Sequence, residues 1–378
     1  MRFRSSSGAL ALVAATILCG AFAYGSPPDS RPMLVGIADD AQVLGNPARA
    51  FPLLETLNVQ VVRINLRWNL VAPTRPHDPS DPADSAYDWS PYDQAVTRAA
   101  ASKIAVLLTI VGSPRWASGF AQPNHAPKRP GDLQAFAYAA ATRYSGDFVG
   151  RSGDKLPAVR RWLAWNEPNN PVFLRPQYRR LRGRWVIQSA RDYARICRAV
   201  YTGVHATKLA DEQVACGGTD PNGNDLAAST RPSVSPLVFL RALKAAGLET
   251  FDVYAHNPYP ARPTAAPSVR PGTSSVSLAN VDRLLDELDA LYGAKHLWLT
   301  EFAYQTNPPD RATGVSWSRQ AAYLRQAYAL ARANPRVDML VWFLLRDEPR
   351  LRGWQSGLLS ANGRRKPAFG AFRALPQR

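Results

Sequence analysis

The sequence predicts a single (β/α)8 TIM barrel, and three observations lead there. Eight short apolar runs alternate with amphipathic or polar stretches along the chain. Those runs are mostly apolar rather than alternating, the mark of parallel strands buried on both faces beneath helices. The 378 residues allow one large barrel or two or three smaller domains, but no linker divides the strand series.

The N-terminus reads as an export signal at 1–23. Arg2 and Arg4 precede an apolar stretch from Ala9 to Ala23, and Ala21-Phe22-Ala23 fits a small-x-small cleavage site. A lipobox ending at Cys19 is the rival reading, with bulky Leu18 against it. The apolar stretch is short for a membrane span, so no stable membrane insertion is expected after cleavage. A short segment, 24–32, then leads into the barrel domain, 33–378.

The eight strand candidates are Met33–Ala38, Val59–Leu66, Ile104–Val111, Trp162–Trp165, Val214–Gly217, Phe251–Ala255, Leu297–Thr300 and Met339–Leu344. Leu284, Leu285, Leu288 and Leu291 recur at helical spacing, and a second amphipathic helix is expected from Ser318 to Ala333, before Asn334-Pro335. Pro/Ser/Asp-rich or Arg-rich stretches at Ala72–Ser90, Asn169–Arg184 and Pro260–Ser275 each follow a strand, on the side where barrels carry working loops. Of the two cysteines beyond the leader, Cys197 falls on a helix and Cys216 ends a strand. They are either bridged in an oxidising compartment or two buried thiols. No Cys or His cluster has metal-ligand spacing, and no cofactor is expected.

The formal net charge is +17, which raises a nucleic-acid reading. Only seven of the 46 basic residues are lysine. The arginines are scattered, with short runs such as Arg179-Arg180-Leu181-Arg182, and no groove-entering motif accompanies them. No nucleic-acid partner is expected.

Polar and aromatic residues gather where strands end: Arg63 and Trp68 after strand two, Trp116 after strand three, Asn166 and Glu167 after strand four, His256 and Tyr259 after strand six, Glu301 on strand seven, Trp342 on strand eight. Singly, each has an ordinary structural reading. In a barrel they converge on one mouth. Two facing carboxylates can cleave a glycosidic bond, one protonated to release the leaving oxygen and one ionised to attack or to activate water. Aromatic faces suit sugar rings.

Trp165-Asn166-Glu167-Pro168 resembles the Asn-Glu-Pro motif of clan A glycoside hydrolases, and Leu299-Thr300-Glu301-Phe302 resembles their strand-seven nucleophile motif. The resemblance implies Glu167 as acid/base, Glu301 as nucleophile, Asn166 as a contact to the sugar 2-hydroxyl, and Arg63 as support for the nucleophile. It matches Trp342 to the tryptophan beneath the cleaved sugar. Ser113-Pro114-Arg115-Trp116 is similar to the xylosidase-like branches, and Gly357-Leu358-Leu359 through Lys366-Pro367-Ala368 to the closing segment. It covers roughly Met33 to Phe372.

His256 and Tyr259 lie three apart where many cellulase-like members have two, so which faces the nucleophile stays open. The Arg-rich loop Phe173–Arg184 has no counterpart in the family. The expected activity is retaining hydrolysis of a β-linked glycan; a transglycosylase and a silent glycan-binding barrel stay open. The expected partner is an oligo- or polysaccharide. Arg175, Arg179, Arg180 and Arg182 leave an acidic one open.

Overall fold

The computed structural model describes residues 33–376; the leader, its alternative Cys19 and the segment 24–32 lie outside them. Eight parallel strands close into a barrel in chain order: β1 Leu34–Ala38, β2 Val61–Arg67, β3 Ala105–Val111, β4 Arg161–Ala164, β5 Gln213–Thr219, β6 Val253–His256, β7 Leu297–Phe302 and β8 Val337–Phe343. One main helix follows each: α1 Pro47–Thr56, α2 Ser90–Ala101, α3 Pro130–Arg143, α4 Gln188–His205, α5 Pro236–Ala245, α6 Asp282–Tyr292, α7 Trp317–Arg332 and α8 Pro367–Arg373. Every predicted strand is present, displaced by no more than two residues at either end. No described helix is long and apolar enough to cross a membrane.

The two faces of the strands fill two cores. Val61, Leu107, Leu163, Ala215, Val253, Trp298, Met339 and Val341 pack inside the barrel. Val35, Ile37, Val62, Ile64, Leu108 and Ile110 face the helices. Burial on both sides explains why the strands read as continuous apolar runs.

Two local features depart from simple alternation. The β5–β6 register slips between Gly217 and Thr219. Gly217 and Gly218 have φ of +104° and +58°, and a Cβ on Gly217 would lie 2.5 Å from the Ala255 carbonyl oxygen. This glycine bulge re-aims the strand end, turning Thr219 toward β6 and delivering Asp220 to the barrel mouth.

The second is a correction. The stretch after β4, expected to be irregular, holds an antiparallel hairpin, Tyr178–Leu181 with Arg184–Ile187. Its two-residue turn, Arg182-Gly183, has φ of +49° and +79°, the sign pattern that matches strand twist. Arginine in place of the usual Asn or Asp hid that turn.

Cys197 on α4 and Cys216 on β5 are bonded, with Cα atoms 5.9 Å apart, and close a 19-residue separation. The bond ties a helix to the strand carrying the bulge. A closed loop of this size restricts the unfolded chain by about 3 kcal/mol. Replacing both cysteines by serine should lower the unfolding free energy by about that amount, read from denaturant midpoints at unchanged slope. A difference below about 0.5 kcal/mol would mean that the cross-link contributes nothing to folding.

Candidate active site

The C-terminal strand ends meet around one buried cation. Arg63, on β2, is 1% exposed. Its Nε donates to Thr109 Oγ1 on β3 at 3.0 Å. Nη1 donates to the Thr300 carbonyl at 3.1 Å and pairs with the Glu301 carboxylate on β7. Nη2 donates to Asn166 Oδ1 after β4 at 2.8 Å. A guanidinium this deep needs a counter-charge and satisfied donors, and both come from other strands.

Asn257, just past β6, completes the ring. Its Nδ2 donates to Glu167 Oε1 at 3.0 Å and contacts Asn166 Oδ1 at 3.4 Å. Its Oδ1 accepts from Thr300 Oγ1 at 2.7 Å. Because Asn166 Oδ1 faces two donors, the amide orientation is set, and Asn166 Nδ2 has no acceptor among the described residues.

Glu167 and Glu301 therefore stand at one mouth, 7% and 9% exposed, in different surroundings. Glu301 pairs with Arg63 and accepts from the Tyr259 hydroxyl at 3.0 Å. Glu167 has amide donors only, from Asn257 and from Asn170 Nδ2 at 3.2 Å. Asn170 Nδ2 also donates to Asp220 Oδ2 at 2.8 Å. Burial, then the negative charges of Asp220 and Glu301, raise the Glu167 carboxyl well above its ordinary range. These surroundings favour the protonated form of Glu167.

The backbone is bent to make this placement. Trp165 and Glu167 have φ of +67° and +40°, a left-handed conformation that costs about 1–3 kcal/mol per residue outside glycine. Glu167 N–H donates to the Gly218 carbonyl at 2.9 Å, which anchors the turn on the β5 bulge. Two consecutive side chains, Asn166 and Glu167, thereby reach the same mouth, where a regular strand would send them to opposite faces.

The remaining candidates divide. Tyr259 faces Glu301, whereas His256 does not. Its Nε2 donates to the Val276 carbonyl at 3.0 Å and its Nδ1 accepts from Thr219 Oγ1 at 2.8 Å. Burial lowers its pKa to about 4, so it is a neutral structural residue. Trp68 is also corrected: fully buried, it packs between Trp116 and Phe136 at 5.4 and 5.6 Å and presents no face to a ligand. Trp342 is enclosed too, with Nε1 donating to the Ser356 carbonyl and its ring edge-on to Phe302. Trp116 is half-buried beneath Arg75, and its Nε1 donates to the Ala72 carbonyl.

Asn257, Asn170, Asp220 and Trp354 were not expected from the sequence. Trp354 is 38% exposed and packs 5.6 Å from Tyr259 and 5.3 Å from Phe343, so it is a part-open aromatic surface beside Tyr259. Asn257 lies between His256 and Tyr259 and was the one legible signal; the other three lie on loops. Among the described residues no group of three or more His, Cys, Asp or Glu is arranged to hold a metal.

Residues 275–372 match the family model of a glycosyl hydrolase catalytic core, a segment that contains Glu301, β7 and β8. The fold is similar to a family 39 glycoside hydrolase from the gut symbiont Bacteroides cellulosilyticus WH2, at 20% identity and TM-score 0.62 over 92% of this chain and 64% of that one. It is similar to a glucosidase from Croceicoccus marinus, at 15% identity and TM-score 0.63 over 92% and 68%. Fungal β-1,4-galactanases share the fold at 14% identity and TM-score 0.59 over 91% and 100%. The chain thus spans less than two thirds of the length of the family 39 enzyme. At these identities the shared property is the barrel. The expected resemblance to (β/α)8 glycoside hydrolases is borne out. No curated protein sequence matches the chain.

The raised Glu167 carboxyl has a consequence for stability. The unfolded chain ionises this residue at the ordinary value of 4.5, whereas the folded chain holds its proton to higher pH. Above that value the unfolded state binds fewer protons, so Glu167's contribution to stability falls as pH rises, until the folded carboxyl also ionises. Glu167→Gln should flatten that decline in melting temperature against pH. Asp220→Asn should lower the Glu167 pKa, followed by the side-chain carboxyl NMR signal. An unmoved titration would remove Asp220 from the electrostatics of the site.

Proposed function

We propose that this protein is an exported retaining glycoside hydrolase acting on a β-linked glycan. The observation that carries the reading is a pair of carboxyl groups at one barrel mouth in opposite environments: Glu301 ion-paired to Arg63, Glu167 hydrogen-bonded by the Asn257 and Asn170 amides. The glycosyl hydrolase match over 275–372 supports the reaction class. The leader features at 1–23 and the Cys197–Cys216 bond, which suits an oxidising compartment, support export.

Glu301 attacks the anomeric carbon while Glu167 gives its proton to the leaving oxygen. The C–O bond to the leaving group breaks as the bond to the Glu301 carboxylate forms. Glu167, now ionised, takes a proton from water. The resulting hydroxide equivalent attacks the anomeric carbon, releases the sugar and restores Glu301. Arg63 and Tyr259 hold the nucleophile, and Arg63 and Asn257 aim Asn166 so that its amide nitrogen can donate to a sugar hydroxyl. Trp354 offers its face to the ring beside Glu301.

A screen of aryl β-glycosides and polysaccharides, with Glu301→Gln as the inactive control, tests the reaction. Glu167→Ala should lose about 10²–10⁴-fold in rate on substrates with poor leaving groups and far less on activated aryl glycosides. Glu301→Ala should lose both, with net retention of anomeric configuration in the wild type. Equal losses on all substrates would contradict the roles assigned, and inversion would exclude the covalent step. Activity should fall on the alkaline side as Glu167 ionises, and Asp220→Asn should bring that limb to lower pH.

A further inference from the structure

Glu167 protonates the leaving oxygen in the proposed reaction, so the wall it is tied to is the leaving-group side. That wall runs outward through Asn170. Asn170, Pro171, Asp220 and Arg231 line a recess of about 520 Å³. Pro171 and Arg231 also line a neighbouring cavity of about 740 Å³, walled by the Arg-rich hairpin. The two recesses share Pro171 and Arg231 as walls, and the first also contains Asn170, which is hydrogen-bonded to Glu167.

The outer cavity is basic. Lys128, Arg175, Arg179 and Arg231 line it, and none of the four forms an ion pair with a described residue. Its one acidic side chain, Asp192, is buried and already paired with Arg195. The cavity also has an aromatic wall. Phe120, 50% exposed, stacks on His125 at 3.9 Å with the rings 10° from parallel. Unpaired cations in a concave wall focus a positive potential, and guanidinium groups grip carboxylates with two parallel hydrogen bonds. A stacked ring pair suits the apolar face of a sugar. Arg180, by contrast, lies over Trp185 on the hairpin, and Arg182 forms its turn. Of the four arginines read from the sequence, two reach the cavity.

We propose that this cavity is a leaving-group-side subsite for a uronate residue, which makes the substrate an acidic glycan. The inference rests on the hydrolase reading for its polarity and its substrate. It does not rest on it for its binding chemistry.

Binding without turnover separates the two. The Glu301→Gln chain is titrated calorimetrically with β-linked oligoglucuronides and with the same oligosaccharides after carboxyl reduction, at low and high salt. The charged probe should bind at least tenfold tighter than the reduced one, with the difference shrinking in salt. Arg179→Ala combined with Arg231→Ala in the same background should weaken the charged probe by about tenfold or more and leave the reduced probe alone. Both arginines are exposed, and an unchanged melting temperature confirms that the variant folds. Equal binding of the two probes, or binding indifferent to the arginine pair, overturns the subsite. Selective binding of a sulfated oligosaccharide over its desulfated form, with no preference for the uronide, overturns the uronate in favour of a sulfate ester. A wild type that binds the uronide but cleaves no glycoside overturns the hydrolase reading and leaves the subsite standing.

Discussion

The Arg63 guanidinium is the constraint on which the mouth of this barrel depends. An arginine sealed inside a protein requires a counter-charge and acceptors for its donors. Here Thr109, Thr300, Glu301 and Asn166 satisfy them, so one side chain from β2 fixes groups on β3, on β7 and just past β4. Removing any partner would leave buried charge or buried donors unpaired. The strand ends are therefore held as a set, and a reacting centre built on them is preorganised by these bonds.

That arrangement also separates two residues of one type. Glu301 shares the cation and a tyrosine hydroxyl; Glu167, within the same network, shares only amides and faces Asp220 through Asn170. The same low-polarity surroundings that strengthen the first pairing push the second carboxyl toward its neutral form. Placing Glu167 there takes a left-handed turn at Trp165 and Glu167, anchored on the Gly217-Gly218 bulge. Local backbone strain is tolerated because the hydrogen-bond ring around it has no slack.

The positive charge of the chain divides by position. Arg143 pairs with Asp93, Arg241 with Glu287 and Arg336 with Asp289, which is ordinary surface and shell chemistry. Around the hairpin after β4 the balance differs: cations outnumber acids in a concave wall. Net charge alone carries no such information; the fold concentrates part of it around the hairpin after β4.

Eight apolar runs, the helices between them and the polar strand ends were legible because each is a local pattern, set by burial on two faces and by the end of a strand. Asn166, Glu167 and Glu301 were legible for the same reason, as polar residues closing apolar runs. Which polar neighbour turns inward was not. His256 points to Thr219 and Val276 while Tyr259 reaches Glu301, and Trp68 disappears into the core while Trp354 opens beside the site. Asp220 arrives only because a glycine bulge shifts its strand. Sequence by itself determined the barrel and the pair of carboxylates, since periodicity and strand ends are properties of short segments. Tertiary structure alone decided their protonation and their partners, since burial, side-chain direction and charge depend on residues tens to hundreds of positions away.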